Sequence, residues 1–232
     1  MRKTFLFLSL FLLWTMVYGL STIYAAPCYG TQMPKSDKWT AGVEADVIAK
    51  RKLSDSYGEI SSRQYYYQIT WGVIDWFCID AKVGVGDITY KPQTGDKTTF
   101  GTNFAGGYGF RVKPYSNPAN GVDAVLGFQH ISVHPSGKII DGNTNNVIID
   151  DWQGSALVSK GIGLFTPYIG TRLSRIDLIH KIKTEGRKRK KSDVDFTGVA
   201  GVDYKIGNNY FVNAETRFIK ETSFNIGLTY NF

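Results

Sequence analysis

Apolar and polar residues alternate strictly along most of the chain after residue 38. In the segment 63–75, for example, Tyr65, Tyr67 and Ile69 share one face of a strand, and each is separated from the next by one residue of the opposite face. A period of two is typical of β-strands with one apolar and one polar face. The pattern occurs in ten segments, at residues 39–50, 63–75, 77–90, 100–113, 121–133, 148–161, 167–178, 196–205, 210–220 and 223–232. It predicts an all-β fold of about ten strands.

The connections between these segments are of two kinds, which alternate along the chain. The short ones are VIDWF, KPYSNPANG, KGIGLFTP and KIGNN, and the others are more polar and mostly longer, such as HPSGKIIDGNTNN and KTEGRKRKKSD. Antiparallel strands that pass up and down produce this order, with short turns at one rim and loops at the other. We therefore predict a single closed, antiparallel, up-and-down β-barrel of about ten strands, with eight strands as the alternative.

The alternation by itself leaves open which face lies inside the barrel. A lipocalin-like soluble barrel carries its apolar side chains inside, whereas a membrane barrel carries them outside. The polar face here is rich in Gly, Asn, Thr and Ser and has charges of both signs, which favours a membrane barrel with a polar lumen. We expect a lumen charge network made of Glu44, Asp46, Asp80, Lys82, Arg111, Asp123, Arg172, Asp203, Glu215 and Arg217.

The state of these charges decides between two hypotheses for the lumen. If they pair with one another, the lumen is filled and the barrel is structural. If some have no partner, water enters and a narrow pore for small solutes or ions results. A barrel of about ten strands is only slightly wider than one of eight, whose interior side chains can fill it. We therefore expect a filled or nearly filled lumen.

Aromatic residues occur on the apolar face close to the predicted short-turn rim. Rings of this kind suit the interface between membrane and water, where they form a girdle around membrane barrels. The predicted girdle consists of Trp39, Phe77, Phe110, Phe165, Tyr204, Tyr210 and Phe232.

The first residues of the sequence have the composition of a secretory signal peptide. Arg2 and Lys3 precede an apolar run, and the small residues Ala25 and Ala26 follow it. We predict a signal peptide at 1–26, a periplasmic N-terminal segment at 27–38 and a barrel at 39–232. A closed barrel is the structure that spans a membrane with strands, because every backbone polar group is then paired within the protein. The predicted location is the bacterial outer membrane, with both termini in the periplasm.

The segment SFNIGLTYNF at 223–232 alternates perfectly and ends on an aromatic residue. It resembles the C-terminal assembly signal of Gram-negative outer-membrane proteins. Together with TPYIGTRLSR and FTGVAGVDYKIGNNYFVNAETRF, it resembles the second half of small barrels of the opacity-protein/OmpX-like superfamily. The resemblance implies that the outer-membrane assembly machinery inserts the chain and recognises Phe224, Tyr230 and Phe232. The chain departs from that family in strand number, which is typically eight there.

The densest charge run of the sequence lies in a predicted loop opposite the short-turn rim. It contains Arg187, Lys188, Arg189, Lys190 and Lys191, in a chain with a formal net charge of +7. Outside a Gram-negative cell such a loop meets the phosphates and carboxylates of lipopolysaccharide, which Arg and Lys side chains bind. A solvated loop without a ligand is the alternative. Nucleic acid is not an expected partner, since no fold for base recognition accompanies the run.

Two residues of the segment FQHISVH, His130 and Ser132, resemble the His-x-Ser pair of outer-membrane lipid A deacylases. The resemblance implies that His130 is a general base for a Ser132 nucleophile on a lipid-facing strand. The chain departs from that family at Val133, where an Asn is expected. No Glu occurs at the family's spacing, so that Asp141 or Asp150 would supply the acid.

An omptin-like protease is the other enzyme hypothesis for a ten-stranded barrel. It would use Asp150 with Asp151, and Asp177 with His180, at the outer rim. We expect neither of these enzyme activities. The expected role is non-enzymatic, in surface structure, adhesion or lipopolysaccharide contact, and the expected oligomeric state is a monomer. The three His and two Cys are scattered along the sequence, and no metal or cofactor is expected.

Two cysteines, Cys28 and Cys78, follow the predicted signal peptide. An exported protein meets an oxidising compartment, where an even number of cysteines suggests a disulfide. The predicted topology places both at the periplasmic rim. We therefore predict a Cys28–Cys78 bond that ties the N-terminal segment below the barrel mouth.

Overall fold

The computed structural model describes residues 30–53, 57–140, 142–182, 186–191 and 194–232. Within these ranges the chain forms β-strands and no helix, so none that could cross a membrane. The predicted signal peptide at 1–26, Cys28 and Asp141 lie outside the described residues. The strands are β1 (Trp39–Lys52), β2 (Glu59–Ile74), β3 (Phe77–Lys91), β4 (Thr98–Asn117), β5 (Val122–Val133), β6 (Lys138–Ile140), β7 (Asn143–Lys160), β8 (Phe165–Ile182), β9 (Gly186–Lys191), β10 (Asp195–Ile206), β11 (Tyr210–Ile219) and β12 (Glu221–Asn231).

Ten of the twelve strands form a closed antiparallel barrel, as the sequence predicts. Consecutive wall strands pair with one another, β5 pairs with β7 and β8 pairs with β10, and the pairing of β1 with β12 closes the sheet. The remaining two, β6 and β9, are short strands that pair with β7 and β8 only. No wall strand is left with an unpaired edge, which is the condition for a sheet to stand in hydrocarbon.

The two rims of the barrel differ as the alternating connections predict. We call the end with the turns after β2, β4, β7 and β10 the short-turn rim, and the opposite end the loop rim. Gly121 and Gly207 each adopt a φ of 63° at short turns, a left-handed conformation that costs glycine little. Residues 30–38, which precede β1, also lie at the short-turn rim, where Asp37 N–H bonds the carbonyl of Gly72.

The exterior of the barrel is apolar and the interior contains charges. Large apolar side chains of the wall such as Val83, Phe104 and Ile169 are more than half exposed, whereas Asp46 and Arg217 are 1% exposed inside. A soluble protein has the opposite distribution. The outer surface therefore fits a hydrocarbon environment, and the fold is that of a membrane-spanning barrel rather than a lipocalin-like one.

The predicted aromatic residues lie on the outer face at the short-turn rim. Phe165 is 53% exposed and its ring centroid lies 4.8 Å from that of Tyr204. Trp39 is 44% exposed and stacks on Trp71 at 5.6 Å. Contacts between neighbouring rings thus form a band around this end of the barrel, in the position of an interfacial girdle.

One apolar residue lies on the opposite face from the one that the alternation predicts. Phe100 is expected on the outer face with Phe104, but it is 1% exposed inside the barrel. The reason is a register shift in the β3–β4 pairing, where Gly86 pairs with Asn103 but Ile88 pairs with Phe100. The extra residue in β4 reverses the side-chain direction beyond this point.

A second irregularity occurs near the loop rim in β1. The register with β12 shifts between Ile48 and Lys50, and Ala49 and Lys50 are consecutive exposed residues. Lys50, which the alternation places on the polar face, therefore points outward and pairs with Glu59 at 3.1 Å. Arg51 points inward instead and is fully buried. This bulge brings a charge into the lumen that simple parity does not predict.

Candidate functional site

The lumen half next to the short-turn rim contains two ion pairs made by predicted residues. Lys82 Nζ lies 2.7 and 2.8 Å from the two carboxylate oxygens of Glu44. Arg111 holds Asp80 through Nη2 at 2.8 Å and Nε at 3.1 Å, which is a bidentate contact. Thr70 donates a further hydrogen bond to Asp80 at 2.6 Å. All four charges are at most 5% exposed, so each is compensated within the protein.

A larger charge cluster lies further along the lumen, around the carboxylate of Glu221. Arg51 Nη1 lies 3.1 Å, Arg172 Nη2 2.5 Å and Arg217 Nη1 3.3 Å from oxygens of Glu221. Arg51 also contacts Asp151 at 3.1 Å. The cluster joins β1, β7, β8, β11 and β12 across the barrel, so that it ties opposite walls together. Arg51, Asp151 and Glu221 are not among the residues predicted for the lumen charge network, and Asp151 is predicted instead for the outer rim.

The remaining predicted lumen charges make contacts of other kinds, and neither oxygen of Asp46 accepts a hydrogen bond from a described residue. Asp46 lies 4.0 Å and Glu215 3.6 Å from the guanidinium of Arg217. Asp203 accepts hydrogen bonds from the side chain of Asn213 at 2.5 Å and from Thr31. Asp123 lies at the short-turn rim, where its carboxylate is 3.4 Å from Lys113 Nζ and accepts a 2.7 Å bond from Ser116.

An apolar layer fills the lumen between the Glu221 cluster and the loop rim. Its members are buried to 2% exposure or less and come from six wall strands: Ile60, Tyr66, Ile88, Phe100, Ala105, Ile131, Val133, Val147, Ile149, Ile176 and Leu178. A layer of this kind is a packed core inside the barrel. On β7 and β8 the layer lies between the buried charges and the loop rim, so that side chains occupy successive levels of the lumen.

Residues 30–38 cover the barrel mouth at the short-turn rim. Thr31 is 1% exposed and its hydroxyl donates to Asp203 at 3.3 Å. The carbonyl of Gln32 accepts a 2.7 Å bond from Arg111 Nη1, and Gly72 N–H bonds the carbonyl of Lys38 at 2.9 Å. A recess of about 50 Å³ remains between this segment and the wall. The mouth is therefore closed by the chain itself.

Only one of the two cysteines of the predicted disulfide lies among the described residues. Cys78 is fully buried on the lumen side of β3, close to the short-turn rim, and its thiol is not bonded to a described cysteine. Its sulfur lies 4.0 Å from Asp80. Because Cys28 lies outside those residues, the Cys28–Cys78 bond stays a prediction.

The predicted basic loop forms part of a hairpin at the loop rim. Strand β9, with all five predicted residues, pairs with β8 so that Lys188 is opposite His180 and Arg187 opposite Lys181. Lys188 and Lys181 are exposed, and the side chain of Arg175 is 42% exposed further down β8. The side chains of Arg187, Arg189, Lys190 and Lys191 lie outside what the structure describes. The hairpin thus carries positive charge beyond the barrel wall.

A polar cluster interrupts the apolar outer surface of β5 and β7. Ser132 and Asp150 are paired in the register, and Ser132 Oγ donates to Asp150 Oδ1 at 2.5 Å. Nε2 of His134 lies 2.8 Å from the same Oγ. Nε2 of His130 lies 3.8 Å from Asp150 Oδ1, and the His130 ring is 4.1 Å from that of Trp152. The structure thus brings Ser132 to His134, rather than to the predicted partner His130.

The other pairs proposed for an enzyme are not assembled in this way. Asp150 is on the outer face of β7, whereas Asp151 is 3% exposed in the lumen and contacts Arg51, so their carboxylates point to opposite sides of the wall. Asp177 is fully buried near Arg175, at 3.8 Å. His180 Nε2 lies 3.2 Å from Asn145 Oδ1. The paired carboxylates that an omptin-like site needs are therefore absent at Asp150 and Asp151.

Comparison with solved structures finds β-barrels of similar outline. The translocator domain of the autotransporter NalP from Neisseria meningitidis has a TM-score of 0.44 at 14% identity, with 84% of this chain and 88% of that chain covered. The outer membrane protease OmpT from Escherichia coli gives 0.45 at 12% identity, covering 88% and 99%. Ail, the attachment invasion locus protein of Yersinia pestis, gives 0.38 at 9% identity, covering 85% and 99%.

These TM-scores and identities are too low for function to carry over from those proteins to this chain. Comparison with protein-family models finds no match, and comparison with curated protein sequences finds none either. The class of protein is therefore defined by the molecule's own features, which are a closed ten-stranded wall, an apolar exterior and a filled interior.

Proposed function

We propose that this chain is a non-conducting β-barrel of the bacterial outer membrane that acts through its loop rim at the cell surface. The observation that carries the proposal is the filled lumen, in which the Glu221 cluster and the apolar layer lie in series. A transport function needs a continuous water path, and two dense layers oppose one. The barrel is then a membrane anchor for the structures at its loop rim.

The proposed orientation places the short-turn rim and both termini in the periplasm. Outer-membrane barrels have short periplasmic turns and longer extracellular loops, which matches the distribution of connections here. In this orientation the hairpin of β8 and β9 projects outside the cell. The N-terminal segment at 30–38 then closes the periplasmic mouth.

Conductance through planar lipid bilayers tests the filled lumen directly. Purified protein inserted into the bilayer should give no channel steps under conditions in which a general diffusion porin does. The narrow pore predicted as the alternative would give small, regular steps instead. Regular steps that scale with the amount of inserted protein would overturn the proposal.

The partner proposed for the loop rim is lipopolysaccharide. Exposed Lys181 and Lys188, on the two faces of the β8–β9 hairpin, and the half-exposed Arg175 support an anion-binding surface at the loop rim. Clustered cations form charge-assisted hydrogen bonds with phosphate, and their contribution falls as salt screens them. The five predicted residues Arg187, Lys188, Arg189, Lys190 and Lys191 would extend the same surface.

Replacement of these five residues with Gln should weaken binding to lipopolysaccharide at low ionic strength. The matched control is the replacement of Lys160 and Lys205 with Gln, since these cations are at the short-turn rim. Binding of the detergent-solubilised protein to immobilised lipopolysaccharide measures both variants. Equal binding by wild type and the five-residue variant at low salt would contradict the proposal.

A further inference from the structure

Two opposite charges lie on the apolar outer face of neighbouring wall strands without forming an ion pair with each other. Asp150 is on the outer face of β7, and the side chain of Arg175 on the outer face of β8 is 42% exposed. Ionisable side chains on the lipid-facing side of a barrel wall are costly unless a partner compensates them. Neither charge fills the lumen or closes the barrel, so their presence requires another explanation.

Each of the two charges is compensated only in part within the described chain. Asp150 Oδ1 accepts the hydrogen bond of Ser132 at 2.5 Å, whereas Oδ2 accepts none from a described residue. The ion pair of Arg175 with a described residue joins Nη2 to Asp177 at 3.8 Å, and Nε donates no hydrogen bond to the described part of the chain. A carboxylate oxygen and part of a guanidinium group therefore remain for a group outside the chain.

Asp150 and Arg175 lie at nearly the same level of the barrel. The row of paired residues that runs from Ala41 to Arg175 starts two positions from the short-turn end of β1 and ends ten positions from that end of β8. Rows therefore climb toward the loop rim in this direction, by about 3 Å per strand at a spacing of about 4.8 Å and a tilt of about 40°. Asp150 pairs with Asp177, and Arg175 is two positions, or about 5 Å, below Asp177. Arg175 is thus about 2 Å below Asp150 and about 8 Å to its side.

Trp152 lies between the two charges on the same outer surface. It is two positions below Asp150 in β7 and pairs with Arg175, so its Cα is about midway between theirs around the barrel. Its side chain is 36% exposed and lies against His130, with ring centroids 4.1 Å apart. A negative charge, an aromatic ring and a positive charge thus follow one another around the wall.

We propose that the outer face of β7 and β8 is a two-fold interface between two copies of this chain. Copies inserted in the same direction are related by an axis along the membrane normal, and the same patch of each then meets the other. An axis next to Trp152 places Arg175 of each copy opposite Asp150 of the other, because a two-fold rotation exchanges the two sides of the axis and keeps the level. Two reciprocal ion pairs then flank a contact between the two Trp152 rings.

The composition of this patch favours a second copy as the occupant. The patch carries one charge of each sign, so its complement is the same patch after a two-fold rotation, whereas an anionic lipid headgroup would meet a carboxylate as well as a cation. Leu173 and Val158 are more than half exposed on the same two strands and supply apolar contact around the ion pairs. Arginine and tryptophan are also the residues that most often dominate binding at the centre of an interface.

The interface leaves the proposed lipopolysaccharide surface accessible. Lys181 lies six positions beyond Arg175 on β8, toward the loop rim, and Lys188 belongs to the paired strand β9. A dimer thus replaces the expected monomer without changing the role proposed for the loop rim. The alternation of the sequence does not reveal it, because the alignment of β7 with β8 comes from the register.

Cross-linking at position 152 tests the axis, because a residue next to a two-fold axis meets its own copy. Trp152→Cys in the full chain, reconstituted into phospholipid vesicles and mildly oxidised, should give a disulfide-linked dimer on non-reducing gels. Val83→Cys is the control, since Val83 is 55% exposed on the outer face of β3, away from β7 and β8. It should give no more dimer than the wild-type chain, which provides the background of the native cysteines.

Charge reversal separates this interface from other contacts between barrels. Asp150→Arg alone brings four cations together, and Arg175→Asp alone brings four anions together. Each should lower the dimer fraction by about tenfold or more, because like charges at an interface are strongly unfavourable. The double variant Asp150→Arg/Arg175→Asp restores both reciprocal pairs and should recover the dimer.

A mixture of the two single variants gives the sharpest result. Asp150→Arg and Arg175→Asp should form a heterodimer with each other although neither forms a homodimer, and loss of folding cannot produce this outcome. Single-molecule photobleaching of protein that carries one fluorophore per chain counts the copies at low density in vesicles, and heat-modifiable migration on SDS gels establishes folding. A wild-type chain that stays monomeric as its density in the vesicles rises, or a dimer that folded single variants retain in full, would overturn the proposal.

Discussion

Arg51 and Glu221 face each other across the pairing of the first and last wall strands, with Nη1 of Arg51 3.1 Å from Oε2 of Glu221. Neither side chain is exposed to solvent. Glu221 is also the shared partner of Arg172 and Arg217. One carboxylate thus holds three guanidinium groups at the junction that closes the barrel.

Replacement of Glu221 should be among the most destabilising single changes in the lumen. Glu221→Ala leaves three buried guanidinium groups close together without their common anion, and removal of one member of a buried ion pair costs about 3–5 kcal/mol. Urea unfolding in detergent micelles, followed by tryptophan fluorescence, measures the loss. Glu59→Ala removes a carboxylate that pairs with exposed Lys50, and should cost at most about 1 kcal/mol. Equal losses in the two variants would argue against the closing role of Glu221.

The direction of the side chains in the wall gives a second prediction. Val83 is 55% exposed in the middle of β3, on the apolar outer face of the wall. Val83→Arg should destabilise the folded barrel in phospholipid vesicles by about 2–4 kcal/mol, because a charge then lies in the apolar band.

Ile139 provides the matched control for this experiment. It is 72% exposed, but it belongs to β6 at the loop rim, beyond the wall. Ile139→Arg should change the free energy of unfolding by at most about 1 kcal/mol, as is usual near the membrane interface. If both variants are equally stable in vesicles, the apolar exterior does not face lipid.

The sequence predicts the barrel well because the two-residue period acts on every wall strand. All ten segments, the alternation of turns and loops, and the outward aromatic residues at the short-turn rim follow from it. In a closed barrel with an apolar exterior, the apolar face of every strand must point outward. The two additional strands at the loop rim, β6 and β9, cannot be predicted from this period, because they are too short and polar to show it.

Parity fails where a bulge intervenes, and this explains what the sequence does not predict. The shift after Ile48 turns Arg51 inward, and the shift between Gly86 and Ile88 turns Phe100 inward. The other members of the apolar layer, such as Ile131 and Ile149, keep the lumen-side parity of their strands, and the sequence does not reveal the layer because apolar residues on that face carry no signal that they pack together. A bulge adds one residue to a strand, and no particular residue type marks its position in the sequence.

The contact between Ser132 and Asp150 is likewise a product of register rather than of spacing. The two residues are eighteen positions apart, and β6 lies between their strands in the sequence. The His130–Ser132 spacing points to His130, whereas the histidine that bonds the Ser132 hydroxyl in the structure is His134. The polar Asp150 in an otherwise apolar outer face is the signal in the sequence that indicates a partner there.

Closure of the mouth by residues 30–38 leads to a prediction about Gly72. A Cβ added to Gly72 would lie 2.2 Å from the carbonyl oxygen of Lys35, so Gly72→Ala should displace the segment from the wall. Trypsin should then cleave after Lys35 and Lys38 several times faster in the folded barrel, as mass spectrometry can follow. Gly154→Ala meets no atom within 4 Å and should leave the cleavage rate unchanged. Wild-type rates in Gly72→Ala would mean that the segment is already detached.

The resemblance of the last strand to an assembly signal gives a prediction that separates insertion in cells from stability. Phe232 is 51% exposed and contacts Tyr230 with ring centroids 5.1 Å apart, while its backbone N–H bonds the carbonyl of Trp39 at 3.0 Å. Phe232→Ala keeps the backbone bond, so refolding in detergent should change little, by at most about 1 kcal/mol. The amount of folded barrel in the outer membrane of a Gram-negative host should nevertheless fall several-fold, because the resemblance implies that the assembly machinery recognises the terminal ring. Phe218→Ala removes a similarly exposed ring from the outer face of β11 and should leave insertion intact. Equal amounts of folded protein in the membrane for both variants would show that the aromatic residue at 232 is not recognised.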